Sequence, residues 1–335
     1  MPKVSIIVPN YNHARFLKQR LDSIFNQTYQ DFEVILLDDC SSDTSIEILQ
    51  TYSQNPKVSH YSINSKNSGS TFKQWNKGFS LAKGEYIWIA ESDDWADETF
   101  LEKQIPILDV NENVGVIYCQ SYRTNIDSKI HEKIDNSFDD YTFKQGVAIV
   151  SGKKFIIEKM VDFNSMPNAS AIIFRKEILL KVGYANENTR LFSDWLQWIN
   201  ILAVSDLAIC ESYLNYFREH QSTVRKSIPH KIYYNEYFDF ILRLYKINRK
   251  HLSKGISTHY INCKLRELFL LAIQFGGTTF GKRIIMSLQI LKIKYNSANI
   301  ILCFGMIINS SRYDFYFDEN PLQRIRGYFQ RKIKF

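Results

Sequence analysis

Three carboxylates stand within four residues at the end of an apolar run. Glu91, Asp93 and Asp94 follow residues 85–90, which read Glu-Tyr-Ile-Trp-Ile-Ala. Ionised carboxylates resist burial unless a positive charge meets them. This cluster therefore predicts binding of a hard divalent cation, Mg²⁺ or Mn²⁺, which keeps few protein carboxylates and takes other ligands from water and substrate phosphates. A turn with solvated acids would give the same local pattern.

A second acidic pair, Asp38 and Asp39, follows the apolar run at residues 32–37. An acid at the end of a strand can accept hydrogen bonds from a nucleobase or a ribose hydroxyl, as in dinucleotide-binding folds. Asp39 is the candidate for this contact. The alternative is an Asx turn or a helix cap, and Asp38 or Asp43 suits the turn equally well.

Two more titratable side chains are candidates. Asp194 opens a predicted helix, where the helix dipole favours an acid even without a function. It would act as a general base only if it faces the same crevice as the other acids. His220 follows a predicted strand and belongs to a polar cluster with Arg218, Ser222 and Arg225, which could bind phosphates or complete a metal shell.

The elements that must position these residues alternate along the first hundred residues. Short apolar runs predict strands, and helix-period patterns lie between them; the strands are expected at 4–8, 32–37, 58–63 and 85–90. This alternation is typical of a parallel sheet with helices on both faces. Because the carboxyl ends of parallel strands share one edge, residues 9–12, 38–39 and 93–94 should converge on one crevice.

The pattern is less regular further on. Residues 44–47 have the spacing of a capping box, which predicts a helix start. Residues 123–145 are polar and are expected to form a mobile excursion. Further strands are predicted at 114–121, 169–174 and 207–217, and helices at 194–204, 233–245, 263–275 and 282–293.

Composition narrows the class of protein. A chain of 335 residues that is 45% hydrophobic can bury the core of one large or two moderate domains. Its five cysteines are scattered and lack C-x-x-C spacing, which argues against a disulfide framework or a zinc site and favours a cytoplasmic protein. We find no secretory signal and no apolar run of the roughly 20 residues that span a bilayer.

The net charge of +7 is unevenly distributed. Residues 225–335 carry about 20 Lys and Arg against about 6 Asp and Glu, which leaves the first 224 residues acidic. The segments 282–286 and 324–335 mix basic with bulky apolar residues, as interfacial helices do. We expect the basic region to contact an anionic membrane surface, at the inner face of the plasma membrane. A solvated helix face with an apolar core side, or a surface for a protein partner, would give the same pattern. Nucleic acid is disfavoured because no nucleic-acid-binding signature is present.

Four segments together resemble the family 2 glycosyltransferases: residues 4–12, 36–43, 83–94 and 216–224. The resemblance implies an α/β, Rossmann-like glycosyltransferase-A fold with a mostly parallel central sheet flanked by helices. It also implies a nucleotide-sugar donor, with UDP favoured, inversion at the anomeric carbon, and Mn²⁺ or Mg²⁺. The acceptor would be a hydroxyl of a glycan or a lipid-linked acceptor in surface polysaccharide synthesis.

The resemblance assigns the donor contacts residue by residue. Pro9, Tyr11 and Asp39 would hold the nucleoside, with Asp39 on the base. The family's usual phosphate-side arginine has no match at the expected spacing after residues 67–69, and Lys73 is the substitute candidate.

The chemical step is assigned in the same way. Asp94 would bind the metal ion, and Asp93 would contact the sugar or the ribose. Asp194 would be the catalytic base, although Ser193 stands where the family often has a second acid. His220 would reach the metal or the diphosphate.

The chain is expected to divide into a nucleotide-sugar-binding half at residues 1–100, an acceptor-binding half at 101–225 and a helical basic C-terminal region at 226–335, which the resemblance does not cover. Two alternatives stay open. A sugar nucleotidyltransferase would need a Gly-rich basic loop near the first strand, which is absent, whereas a non-catalytic sugar-nucleotide-binding module would differ by having Asp194 on another face. A dehydrogenase is disfavoured because G-x-G-x-x-G is missing.

Overall fold

The computed structural model describes residues 1–134, 138, 140–220, 228–253, 255–256 and 264. Residues 1–265 form one compact unit. The helices predicted at 263–275 and 282–293 and the basic segment 324–335 lie outside the described residues, apart from Lys264. Among the described helices, none combines the length and the apolarity needed to cross a bilayer.

Strands and helices alternate through the described chain. The strands are β1 Val4–Asn10, β2 Phe32–Asp38, β3 Val58–Ile63, β4 Tyr86–Ile89, β5 Trp95–Ala96, β6 Val114–Thr124, β7 Ile130–Lys133, β8 Val147–Val150, β9 Ile172–Arg175 and β10 Asp206–Arg218. The helices are α1 Ala14–Phe25, α2 Ser45–Tyr52, α3 Thr71–Leu81, α4 Phe100–Val110, α5 Gly152–Lys159, α6 Lys176–Val182, α7 Ser193–Leu202 and α8 His230–Lys250.

The strands form one mixed sheet in the order β3-β2-β1-β4-β9-β6-β10-β5, with β7 paired to β6 and β8 paired to β10. The pairs along β3-β2-β1-β4 are parallel, and β6 is parallel to β10. β9 runs antiparallel to both of its neighbours. The fold class predicted from the sequence, a mostly parallel sheet flanked by helices, is confirmed.

The predicted convergence of strand ends is also present. Asn10 at the end of β1 is in register with Asp38 at the end of β2, and the amide nitrogen of Asn10 donates a 2.7 Å hydrogen bond to that carboxylate. β4 lies on the other side of β1, with Ile7 opposite Ile89. The segments that follow these three strands therefore share one edge of the sheet.

α3 packs closely against β1, beside this edge of the sheet. Phe72, Trp75 and Phe79 are buried on one face of α3, as its helical apolar spacing predicts. A Cβ atom at Gly78 would lie 2.4 Å from Cγ2 of Ile7 in β1. Glycine at this position therefore allows α3 to approach the sheet closely enough for Trp75 to reach the residues after β4.

Two local predictions differ from the structure in detail. The helix start predicted at 44–47 is confirmed, because α2 begins at Ser45, but the side chain of Thr44 makes no capping hydrogen bond; instead, the carboxylate of Asp43 accepts one from the backbone N–H of Ser45. The stretch at 123–145, expected to form a mobile excursion, contains regular structure among its described residues: β6 continues to Thr124, and β7 pairs back onto it. Its polar residues suit a solvated hairpin because β7 is exposed along its whole length.

Candidate active site

The residues after β4 are held against the end of β10. The backbone N–H of Arg218 donates to Oδ1 of Asp94 at 3.0 Å, and Nε of Arg218 donates to the carbonyl oxygen of Asp93 at 2.7 Å. Asp94 is buried, at 2% exposure. This contact is long-range in sequence and fixes the acidic turn at the sheet edge.

The carboxylate of Asp93 lies close to the side chains of two histidines. Nε2 of His220 lies 2.9 Å from Oδ2 of Asp93, and potential ligand atoms of His13, Asp93 and His220 all lie within 4.8 Å of one another. Burial raises the pKa of Asp93, but the hydrogen bond from His220 and the charge of His13 outweigh that effect and the pKa is lowered. Two imidazoles and an ionised carboxylate form a donor set that suits a divalent cation.

The remaining acids of the cluster are harder to ionise. Burial, followed by the charge of Asp93, raises the pKa of Glu91 to about 8 and raises the pKa of Asp94. The indole nitrogen of Trp75 donates to Oε1 of Glu91 at 2.8 Å. Charge at this edge is therefore concentrated on Asp93, the carboxylate that faces the histidines.

A fully buried cation, Arg20 on α1, lies beside these acids. Its Nε donates to the carbonyl oxygen of Glu91 at 2.8 Å, and its two terminal nitrogens have no hydrogen-bond partner among the described residues. Burial lowers the pKa of Arg20 to about 10, against the opposing influence of Asp94 and Asp93. Arg20 thus offsets part of the negative charge from within the core.

Asp39 lies where the sequence predicts, at the end of β2, and is 4% exposed. Its oxygens accept hydrogen bonds from the side chains of Asn64 and Gln74 at 2.7 Å, and from the hydroxyl of Ser68 at 2.8 Å. Asp39 therefore orders the loop at 64–70, which borders the same edge. Asp38 and Asp43 are engaged in the turn, where they accept from Ser41 and Ser45 respectively.

The other predicted donor contacts lie around this loop. Pro9 is buried within β1, whereas Tyr11 directly after β1 is 46% exposed. Asn12 has a positive φ of 55°, and its Oδ1 accepts from the backbone N–H of Ser42 at 2.7 Å, so the loops after β1 and β2 brace each other. Lys73 is exposed and its Nζ donates to the carbonyl oxygen of Ser68 at 3.0 Å.

Asp194 lies in the first turn of α7, whose N-cap residue is Phe192, so Asp194 does not cap the helix. It is half-buried and lines a cavity of about 290 Å³. Nδ2 of Asn164 donates to its Oδ2 at 3.3 Å. Four residues further on, and so on the same helix face, Trp198 packs 6.0 Å from the ring of Trp75, which contacts Glu91.

Three of these residues were not predicted from the sequence: His13, Arg20 and Trp75. His13 could have been recognised as a site residue, because it follows β1 and the carboxyl ends of parallel strands share an edge. Arg20 and Trp75 lie inside amphipathic helices, where nothing in the local pattern separates them from packing residues. Ser222 and Arg225, predicted beside His220, lie outside the described residues.

The fold is that of glycosyltransferase-A enzymes. The chain matches the structure of Staphylococcus aureus TarS, residues 1–349, in complex with UDP-GlcNAc, with a TM-score of 0.61 over 92% of this chain and 81% of that chain. The sequences are 18% identical, so the match describes architecture alone. Residues 5–165 match the model of glycosyl transferase family 2.

Several similar proteins are described as glycosyltransferases. Glycosyltransferase GlyG of Streptococcus pneumoniae serotype 4 is 32% identical over 57% of this chain and 62% of its own length. An uncharacterized glycosyltransferase of Methanocaldococcus jannaschii, MJ1057, is 27% identical over 76% of this chain and 83% of its own. The putative teichuronic acid biosynthesis glycosyltransferase TuaG of Bacillus subtilis is 34% identical over 32% of this chain and 42% of its own. The match thus spans less than two thirds of GlyG.

Proposed function

We propose that this protein is a metal-dependent, inverting glycosyltransferase that moves a sugar from a UDP-sugar to an acceptor hydroxyl. The observation that carries the proposal is the convergence of Asp39, Asp93 and His220 on one sheet edge, with His13 beside them. The match to the family model supports transfer from a nucleotide-sugar. The UDP-GlcNAc bound to TarS, a protein of the same fold, favours UDP as the nucleotide.

The donor set fits Mn²⁺ or Mg²⁺. Nε2 of His220 lies 2.9 Å from Oδ2 of Asp93, and a cation bound to both atoms would replace this contact. In this proposal His13, Asp93 and His220 would hold the ion, while Asp94 secures the turn through the backbone of Arg218. When bound, the metal neutralises the charge that grows on the departing diphosphate.

The chain's own residues supply the remaining steps. Tyr11 is exposed directly after β1, which pairs with the strand that ends before Asp39, and can cover the base of the nucleotide, while Lys73 offers a cation on the phosphate side. Asp194 takes the proton from the acceptor hydroxyl as that oxygen attacks the anomeric carbon, and a single displacement inverts the configuration. Such a base contributes roughly 10²–10⁴-fold to the rate.

The biological setting follows from the relatives and the charge distribution. TuaG is described as a putative teichuronic acid biosynthesis enzyme, which favours a role in surface polysaccharide synthesis. The basic region at 225–335 suits an anionic phospholipid surface. We place the protein in the cytoplasm, peripheral to the inner face of the plasma membrane.

The test is calorimetric titration of the full chain with UDP, GDP, dTDP and CMP, each with and without Mn²⁺. We expect UDP to bind, with an affinity that rises with Mn²⁺ and falls in Asp93→Asn. Asp194→Asn should bind UDP like the wild type but transfer no sugar, which separates an enzyme from a binding module. Absence of binding for every nucleotide would refute the proposal.

A further inference from the structure

A buried arginine, Arg218, ends β10 beside the acidic turn. It is 1% exposed, and every nitrogen of its guanidinium donates a hydrogen bond. Nε donates to the carbonyl oxygen of Asp93 at 2.7 Å, and Nη2 donates to Oε1 of Gln19 at 2.7 Å. Nη1 donates to the carbonyl oxygen of Ile126 at 3.2 Å and to the hydroxyl of Ser128 at 2.9 Å. Burial of a charge is unfavourable unless its polar atoms find partners, and this guanidinium has them.

These hydrogen bonds join elements that are far apart in the sequence. Gln19 lies on α1, Asp93 follows β4, and Ser128 lies in the turn between β6 and β7. Two aromatic rings also contact the guanidinium. Its central carbon lies 4.5 Å from the ring centroid of Phe16 on α1 and 4.6 Å from that of Trp95 in β5, within the range of cation–π interactions. The orientation of the guanidinium is therefore fixed by hydrogen bonds and by ring contacts.

Arg218, Gln19 and Ser128 form a closed set of hydrogen bonds. The hydroxyl of Ser128 accepts from Arg218 and donates to Oε1 of Gln19 at 3.0 Å, and the same oxygen accepts from Arg218. An ion pair between Arg15 and Asp127, at 2.8 Å, also links this turn to α1, but both side chains are more than half exposed, so solvent screens it. The buried network around Arg218 is therefore the stronger link between the turn and the acidic edge.

The same arginine holds the acidic turn in two ways. Its Nε donates to the carbonyl oxygen of Asp93, and its backbone N–H donates to Oδ1 of Asp94. His220, whose Nε2 lies 2.9 Å from Oδ2 of Asp93, follows Arg218 by two residues. Asp93 and His220 are therefore both tied to Arg218, one by a hydrogen bond and one by the chain itself. Loss of a group that orients metal ligands typically lowers metal affinity by about 10- to 100-fold.

We propose that Arg218 is a positioning residue for the candidate cation site. Its guanidinium holds the main chain of Asp93 and the turn between β6 and β7, so that Asp93 and His220 face one ion. The inference rests on the proposed function, because it takes this site to bind a metal. Arg218 acts through Asp93, since its own guanidinium nitrogens donate to protein groups. A lysine would not substitute for it, because an ammonium lacks the planar fork that reaches three elements and packs between two rings.

The experiment measures the dissociation constant of Mn²⁺ for the full chain by electron paramagnetic resonance of the free ion. We expect Arg218→Met to raise this constant by at least about tenfold, because the main chain of Asp93 is released. Arg218→Lys keeps the charge but should still raise it by about three- to tenfold. Gln19→Leu leaves the arginine in place, removes the acceptor of its Nη2 and should raise the constant by about two- to fivefold.

Another buried arginine, at the opposite end of the strands, provides the matched control. Arg175 in β9 is 7% exposed, and its Nε and Nη2 donate to the carbonyl oxygens of Val114 at 2.8 Å and Leu108 at 2.6 Å. Its guanidinium carbon lies 5.3 Å from the ring centroid of Tyr86, where β4 begins. Arg175→Met should therefore lower the urea midpoint of unfolding as Arg218→Met does, yet leave the affinity for Mn²⁺ within about twofold of the wild type.

The possible results separate the two proposals. A wild-type chain that binds no Mn²⁺ would refute the proposed function, and this inference with it. If the wild type binds Mn²⁺, unchanged affinity in Arg218→Met overturns this inference alone, as does an equal loss of affinity in Arg175→Met. If Arg218→Met does not fold, Arg218→Lys and Gln19→Leu decide. Unchanged affinity in both overturns the inference, whereas weaker binding in both, with Arg175→Met unaffected, supports it.

Discussion

His13 extends the acidic edge into a site that can hold a cation. Its Nδ1 lies 2.8 Å from the hydroxyl of Ser92, and its ring lies 5.6 Å from the ring of His220. A contact on one ring nitrogen is the usual way in which a metal-binding histidine is oriented. The hydroxyl of Ser92 therefore leaves Nε2 of His13 for the ion.

We expect His13→Ala to raise the dissociation constant for Mn²⁺ by at least about tenfold, because a nitrogen donor is lost. Ser92→Ala should produce a smaller change in the same direction. The measurement is isothermal titration of Mn²⁺ into the full chain, with His60→Ala on β3 as the control. Equal affinity in the wild type and His13→Ala would remove His13 from the site.

The buried positive charge of Arg20 offsets the negative charge of the carboxylates at the sheet edge. Its guanidinium lies 5.5 Å from the ring of Trp88 and is fully buried.

We expect Arg20→Met to lower the free energy of unfolding by about 3–5 kcal/mol, because the neighbouring carboxylates lose a buried counter-charge. Arg20→Lys should lose less, since it keeps the charge. Urea unfolding measures both, and a loss below about 1 kcal/mol in Arg20→Met would show that the acids do not depend on it.

At the scale of elements, the order of strands and helices around the acidic sheet edge could be predicted because it follows local periodicity. Strand ends at Asn10, Asp38 and Ile89 meet as parallel pairing requires. The cavity beside Asp194 could not be predicted, because its walls come from segments that pack together only in the folded chain. The long-range bond between Arg218 and Asp94 is also invisible in local sequence.

Glu33 joins three elements of this edge at its opposite end. Its Oε1 accepts from the hydroxyl of Ser5 on β1 at 2.6 Å and from the backbone N–H of Lys83, between α3 and β4, at 2.7 Å. Burial raises the pKa of Glu33, but the hydrogen bonds from Ser5, Ser59 and Lys83 outweigh burial and the pKa is lowered. The charged form therefore stabilises the fold.

Because the folded-state pKa is lowered, this stabilisation is present above the unfolded value of about 4.3 and is lost as the pH falls through the folded value. We expect Glu33→Gln to cost about 1–2 kcal/mol of unfolding free energy near neutral pH. The difference from the wild type should shrink in acid. Urea unfolding across this pH range tests it, with the exposed Glu98→Gln as the control. A cost independent of pH would contradict a role for the charge.

In the whole molecule, acidic and basic residues are concentrated in different parts of the sequence, and each part suits a binding partner of the opposite charge. Residues 1–224 carry an excess of acids and include the sheet edge that suits a cation. The excess of Lys and Arg in residues 225–335 suits an anionic surface instead. In the proposed function the acceptor is lipid-linked and would lie at such a surface, so that one chain would meet the donor in solution and the acceptor at the membrane.

The last basic segment gives a direct test of this arrangement. Each Lys or Arg near an anionic surface contributes about 1 kcal/mol, and salt screens the attraction. We expect the full chain to sediment with phosphatidylglycerol vesicles at low salt and to be released at high salt. Glutamine should abolish sedimentation when it replaces the five cations Arg324, Arg326, Arg331, Lys332 and Lys334.

The matched control replaces five exposed lysines of the compact unit, Lys66, Lys103, Lys129, Lys153 and Lys154. If both variants lose sedimentation equally, net charge rather than this segment drives binding. If neither does, the segment has no part in membrane contact.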